Sequence, residues 1–388
     1  MDRSAAVERM LRTVEPHALL PVLRRALTTQ YAALGVDLLM ADYSMTILQA
    51  VEALPFTSPG VPVHTSAPGR AFASQRPVRE PSGDTATELH LPVSVRGERI
   101  GVLCVTLPAD AAGHGVEDEL AEIAESLGRA ILIADRETDL YLQAKRVRRL
   151  TLAAEMQWQL LPGSSCARSE YEMGAQLEPA YGVYGDNVDW SATADDFSLT
   201  LTNGMGEGIE ASLLTSLGIN ALRNARRAGL SLIDQACLAD QAIYGLHRGD
   251  LHLSTLLLRF DLPTGVVEVI DAGSPKAWLL RERKVSPVEL DAQLPLGMFE
   301  DTLYESQTFR VRPGDRLLFL SDGVYDATSP AGERYEERVL SRAMNSTRML
   351  PAPEVPRAIL HELRGHRGDV EALDDALVVC LDWRGRRS

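Results

Sequence analysis

The chain lacks most of the features that mark secreted, membrane or nucleic-acid-binding proteins. Its four cysteines (Cys104, Cys166, Cys237 and Cys380) are far apart and form no CxxC pair. That argues against a zinc site and fits a reducing compartment. No stretch approaches the roughly 18 uninterrupted apolar residues of a membrane span. The opening MDRSAAVERML lacks the basic-then-apolar order of a signal peptide, so a cytoplasmic location with no membrane partner is expected. Positive charge is in deficit. The formal net charge is −15, and phosphate-backbone binders are usually basic, so nucleic acid is not an expected partner. Internal repeats and low-complexity tracts are absent, and no Ser/Cys–His constellation suggests a covalent nucleophile. The eight histidines are scattered and read as structural or surface residues.

The 388 residues are 45% hydrophobic and 24% charged, as in an ordinary soluble globular protein with room for two or three domains. Three zones follow one another. Up to about residue 115, helical periodicity gives way to β-like runs, VDLLMADYSMTILQAV and TELHLPVSVRGERIGVLCVTL. The alternation around Arg96-Gly97 predicts a hairpin, with Cys104 on an alternating strand as a core residue. From about 116 to 161 the chain holds no proline before Pro162 and one glycine, and Leu120, Ile123, Leu127, Ile131 and Ala134 recur at helical steps. Two readings fit: one long, signal-carrying coiled-coil helix, or two ordinary helices broken near Asp135–Asp139. From 162 to 383, β-like runs such as DFSLTLTN, HLSTLLLRFDL and DALVVCLDW surround two helical patches. Strands and helices do not alternate regularly, so the class is α+β rather than doubly wound.

Chemistry concentrates in this last zone. YGDNVDW carries Asp186 and Asp189, LLFLSDGVYDA carries Asp322 and Asp326, and EALDDALVVCLDW carries Asp374 and Asp375. Carboxylates at strand ends suit Mg²⁺ or Mn²⁺, which prefer oxygen ligands. LTNGMGEGIEASLLT adds a glycine-rich loop before a helix, with a neutral amide, Asn203, just ahead of Gly204.

The order of these motifs over about residues 150–385 resembles the SpoIIE-type branch of the metal-dependent, type 2C protein phosphatases. LAAEMQWQLLPG resembles its lead-in helix. YGDNVDW is similar to its Gly-Gly-Asp-Trp-Tyr-Asp motif, and TNGMGEGIEASLL to its Asp-Gly-Met-Gly-x-Gly loop. STLLLRFDLPTGVVEVIDAGSPKAWLL, LPLGM, RPGDRLLFLSDGVYDA and DDALVVCL follow in the expected order. The resemblance implies an αββα sandwich of two antiparallel sheets flanked by helices. It also implies Mn²⁺ or Mg²⁺, a metal-bound water as nucleophile, and a phosphorylated anti-anti-sigma (STAS-type) protein as substrate. Carried onto this chain, Asp186 holds one metal, the Gly204 carbonyl contributes, and Asp322 and Asp374 hold the second, with Asp375 adjacent. Asn203 stands where the family has the aspartate that bridges both ions. Tyr184, Ser274 and Leu377 replace a glycine, a histidine and a threonine of the pattern.

An amide offers one neutral oxygen where a carboxylate offers charge to both ions. Losing that charge is worth several kcal/mol even at an effective dielectric of about 20. The metal cluster is therefore expected to be weak, unless Glu207 or Asp196 compensates. Two outcomes follow: an impaired phosphatase, or a catalytically dead homologue that works as a ligand-regulated, partner-binding switch. Residues 1–136 resemble a GAF sensor domain through VDLLMADY, APGRAFASQRPVRE and LHLPVSVRGERIGVLCVTL, which implies a small-molecule ligand or a homodimer contact. The expected layout is a GAF-like domain at 1–136, a linker or coiled-coil helix at 137–162 and the phosphatase-like domain at 163–385.

Overall fold

Arg96 and Gly97 turn the chain as anticipated. Both lie at positive φ, 51° and 91°, the geometry of the tight hairpin turns that match strand twist. The hairpin belongs to the first of two units, Met1–Arg149 and Leu150–Ser388, in a computed structural model that describes residues 3–51, 59–178, 185–273, 275–335, 339–368 and 375–386.

In the first unit the strands are β1 (Gly35–Ala41), β2 (Ile47–Ala50), β3 (Val61–Pro62), β4 (Val78–Ser82), β5 (Ala86–Val95) and β6 (Glu98–Pro108). They form one antiparallel sheet in the order β3-β2-β1-β6-β5-β4. The Asp42 carboxylate organises the β1–β2 turn by accepting from the Thr46 and Ile47 amides at 2.9 and 2.8 Å. Helices α1 (Arg3–Leu11) and α2 (Leu19–Tyr31) share a core with one sheet face, while α3 (Ala67–Ser74) contributes Ala71 and Phe72 to a second core with Leu39, Val102 and Cys104 on the other.

The long helix over 116–161 is corrected by the structure. The segment is three helices, α4 (His114–Ala134), α5 (Leu140–Ala144) and α6 (Leu152–Leu160). The 3- and 4-residue stripe is real, but Leu120, Ile123, Leu127 and Ile131 are buried in the core of their own unit. They are thus unavailable as a coiled-coil seam. Side chains that prefer to bond their own backbone interrupt the helix. Thr138 accepts from the Leu140 amide, and Thr151 caps α6 through the Ala154 amide at 3.1 Å. The reading with a break near Asp135–Asp139 matches the first interruption.

In the second unit, β7 (Ser165–Ala167), β8 (Tyr171–Glu178), β9 (Asn187–Ala192) and β10 (Asp196–Gly204) lead to helices α7 (Gly208–Arg227) and α8 (Leu232–His247). Strands β11 (Leu253–Asp261), β12 (Val266–Ala272), β13 (Lys276–Arg281), β14 (Lys284–Pro287), β15 (Gln307–Arg310), β16 (Arg316–Leu320) and β17 (Ala376–Trp383) complete it. Two antiparallel sheets result, β15-β12-β11-β10-β9 and β14-β13-β16-β17-β8-β7. Rings from both meet between them: Tyr171 to Phe197 at 4.3 Å, Phe197 to Phe260 at 5.7 Å and Phe260 to Trp383 at 5.9 Å. On the first sheet, α7 and α8 bury Leu214, Leu222 and Ile243 against Leu257 and Ile270. On the second, the helices Leu340–Ser346 and Val355–Arg367 bury Met344, Ile359 and Leu363 against Leu318 and Val378. The unit is thus the expected helix–sheet–sheet–helix sandwich. Among the described residues no helix is long and apolar enough to cross a membrane.

Candidate metal centre

Four chain segments close a ring at one end of the sandwich. Strand β10 delivers Asn203 and Gly204, and β16 ends one residue before Ser321 and Asp322. Asn203 Nδ2 donates to Asp322 Oδ1 at 2.6 Å, joining the two sheets, and the Gly323 amide donates to the same oxygen at 2.9 Å. Ser321 ties the end of β16 to the start of β17: its amide reaches the Leu377 carbonyl at 3.1 Å, and its Oγ accepts from the Leu377 amide at 2.9 Å. That sets Asp322 beside Asp375. Asp375 Oδ2 then accepts from the Gly185 and Asp186 amides at 2.8 and 3.1 Å, fixing the lead-in to β9. The ring closes where the Gly204 amide donates to the Gly185 carbonyl at 3.2 Å, which Thr215 Oγ1 also contacts at 2.8 Å.

The glycines here answer to space. A Cβ on Gly185 would lie 2.4 Å from the Gly204 carbonyl oxygen, and one on Gly204 would lie 2.5 Å from Thr215 Oγ1. Gly206 and Gly208 instead need their positive φ, 99° and 63°, to turn the strand into α7. Gly185→Ala is expected to destabilise the second unit by at least ~1–3 kcal/mol, since backbone on both sides leaves nothing flexible to yield. Urea unfolding of this variant beside Gly229→Ala, a loop site with nothing near its Cβ position but φ of 75°, separates overpacking from φ strain.

The predicted residues divide as follows. Asp186, Asn203, Gly204, Asp322 and Asp375 come together, with Asp186 and Asp375 almost fully buried. Asp374 lies outside the described residues, as do Tyr184 and Ser274. Asp196 cannot replace the missing bridge: it begins β10 and pairs with Asp261, whereas Asn203 is seven residues further and pairs with Ser254, roughly 23 Å along an extended strand. Glu207 is exposed in the glycine loop. Asp189 is engaged elsewhere, with Arg223 and Arg226 of α7 at 2.7 and 2.8 Å. Sequence reasoning missed Ser321 and Thr215, which hold backbone through hydroxyls and carry no motif of their own.

One more buried carboxyl lies on the same sheet, two strands across from β10. Asp271 is opposite Leu256, which is opposite Leu201, two rungs from Asn203. Burial pushes its carboxyl up to about 6, against the opposing pull of the Gly273 amide and Lys276. A raised folded-state value means the group's stability contribution is fully present below pH ~4 and is lost as pH rises through about 6. Asp271→Asn should therefore flatten stability between those limits and gain up to ~3 kcal/mol over the parent at neutral pH. Urea midpoints at pH 4.5 and 7.5 test this, and an unchanged pH slope would refute it.

The sandwich and its acidic end place the second unit among proteins with the PP2C phosphatase fold. The SiaA-PP2C domain of Pseudomonas aeruginosa aligns over 60% of this chain and 94% of its own, with a TM-score of 0.51 and 19% identity. Residues 193–384 match the family model described as Stage II sporulation protein E (SpoIIE). Stage II sporulation protein E of Priestia megaterium is 27% identical over 200 residues, 51% of this chain and 33% of that protein. Phosphoserine phosphatase RsbP of Bacillus subtilis is 24% identical over 137 residues, 34% of either chain. The chain thus spans about a third of the length of these curated relatives.

Proposed function

We propose that the second unit is a metal-dependent protein serine/threonine phosphatase of bacterial signalling, with metal binding weakened by Asn203. The closed ring through Asn203, Asp322, Asp375 and Gly185 carries this reading, because it gathers oxygen donors from both sheets at one point. The SpoIIE match over residues 193–384 and the phosphoserine phosphatase among the relatives support it. Asp186, Asp322, Asp374, Asp375 and the Gly204 carbonyl are the hard oxygen donors that would hold Mn²⁺ or Mg²⁺, with Asn203 adding a neutral carbonyl. A bound divalent cation would supply Lewis-acid stabilisation of a phosphoryl group and acidify a water. The chain's part is positional. Asp375 pins the turn that carries Asp186, and Gly185 allows the Gly204 backbone to approach. The substrate proposed from the resemblance is phosphoserine or phosphothreonine on a STAS-type, anti-anti-sigma partner.

One observation favours the rival reading, a pseudophosphatase that binds its partner without turnover. The Asn203 amide N–H already satisfies Asp322, partly doing what a cation would do there. Calorimetric Mn²⁺ titration together with turnover on a phosphoserine peptide decides between them. Micromolar binding with turnover supports the enzyme; neither, in a folded protein, leaves the partner-binding module.

For the first unit, the proposal is a cytoplasmic GAF-type sensor that binds a small ligand and pairs two copies of the chain. Its antiparallel sheet carries helices on both faces, and α3 with the lead-in to β4 is the GRAFASQRPV segment that carries the resemblance.

A further inference from the structure

The sheet of the first unit brings together three side chains that the spacing of cysteines and histidines gave no reason to connect. His90 on β5 lies directly opposite Cys104 on β6, and Glu88 is two residues back on the same face. One ligand atom from each of Glu88, His90 and Cys104 lies within 4.8 Å of the others. His90 and Cys104 are 1% and 6% exposed, so two of the three side chains lie in the protein interior.

We infer that Glu88, His90 and Cys104 form a binding site for a transition-metal ion of the Zn²⁺, Co²⁺ or Fe²⁺ kind. His90 Nδ1 lies 3.3 Å from Cys104 Sγ. Metal–nitrogen and metal–sulfur bonds of about 2.0 and 2.3 Å at a tetrahedral angle set the two atoms about 3.5 Å apart, so the pair is already near ligand spacing. An independent contact points the same way. The other ring nitrogen, the buried Nε2, lies 3.4 Å from Glu80 Oε1 without a hydrogen bond between them, so a small rotation would complete the carboxylate–histidine arrangement that orients a metal-binding imidazole. Glu80's second oxygen faces Arg70 at 3.8 Å, so Glu80 serves as the orienting group and Glu88 as the ligand. Glu80 and Glu88 are cross-strand neighbours, and like charges so placed repel, which a cation bound beside Glu88 would relieve further than Arg70 alone. Glu88 is part-exposed and β4 is the sheet edge, so an ion has a way in, and three protein ligands leave a position open.

Cobalt titration of the reduced 388-residue chain tests the site, because the acidic cluster of the second unit offers only oxygen donors and gives no thiolate signal. The expected result is one equivalent of Co²⁺ producing a thiolate-to-metal charge-transfer band in the near ultraviolet, displaced by Zn²⁺. Cys104→Ser should abolish the band while Cys237→Ser keeps it. Glu80→Gln should keep the band and weaken affinity by ~10- to 100-fold. Absence of the band in folded wild-type protein overturns the proposal, and so does its survival in Cys104→Ser. Should Cys104→Ser fail to fold, His90→Gln replaces it, with loss of the tetrahedral d–d intensity expected and an unchanged spectrum again overturning the site.

Discussion

Asn203→Asp is expected to raise affinity for Mn²⁺ by at least ~100-fold, and turnover should rise with the same metal dependence. A hundredfold change is about 2.7 kcal/mol. That is modest beside the ~4 kcal/mol that two unit charges 4 Å apart exchange at an effective dielectric of 20, and the restored carboxylate would meet dications. The metal-free protein supplies the sharper test. Asn203 Nδ2 now donates to Asp322 Oδ1 at 2.6 Å. Replacing the amide sets two carboxylates at that distance, where both cannot remain ionised without cost. In EDTA, Asn203→Asp should therefore melt below the wild type, and in Mn²⁺ it should melt above its own EDTA value by a wider margin than the wild type does. If the variant is unmoved by EDTA and gains nothing from Mn²⁺, the ring is no metal centre and the phosphatase proposal fails with it.

Much of this site was legible because its parts are local. An Asn-Gly pair at the end of an alternating strand, and Asp-Gly after an apolar run, announce strand ends whatever the fold. DFSLTLTN, HLSTLLLRFDL and DALVVCLDW became β10, β11 and β17 nearly as read. The edge strand Gln307–Arg310 carried a weak pattern and was not anticipated, and the helix Val355–Arg367 was passed over although Val355, Ile359, Leu360 and Leu363 recur at helical spacing. Periodicity in 116–134 was read correctly as helical. Its partner was not, because a stripe facing the helix's own sheet and one facing a second chain look the same in one dimension. The Glu88–His90–Cys104 group shows a deeper limit. Counting outward from the two-residue Arg96-Gly97 turn pairs Val95 with Glu98 and Ser94 with Arg99. Continued unbroken, that register sets His90 against Leu103, on the opposite face from Cys104. A register shift between Val93 and Ser94 moves the pairing by one residue, and His90 meets Cys104 instead. Bulges of this kind re-aim side chains, and nothing in PVSVRGERIG declares one.

Asp189→Ala is expected to be the most destabilising single change at the acidic end, costing the second unit about 3–5 kcal/mol, or roughly 6–20 °C in Tm for a unit of this size. Sequence alone ranked Asp189 with Asp186 as a strand-end carboxylate, but the two have different work. Asp189 Oδ1 accepts from Arg223 Nε and Nη2 at 3.0 and 2.7 Å, and Oδ2 accepts from Arg226 Nη1 at 2.8 Å. The carboxylate is 2% exposed and both guanidinium side chains are less than a fifth exposed. Removing the acid strands two partly buried cations, which costs far more than the intact cluster contributes over an apolar replacement. Salt should rescue little of the loss, because screening acts weakly on buried charge. The expected signature is a lower Tm in EDTA with Mn²⁺ affinity of the folded protein unchanged. A metal ligand would behave oppositely, losing affinity while sparing the EDTA melt, and that outcome would return Asp189 to the metal centre. The arrangement also explains why the glycine loop is followed by so long a helix. Thr215, Arg223 and Arg226 all lie on α7. The first holds the Gly185 carbonyl and the other two hold Asp189 of β9, so the helix fixes β9 at both its lead-in and its middle, with the Gly204 backbone against it.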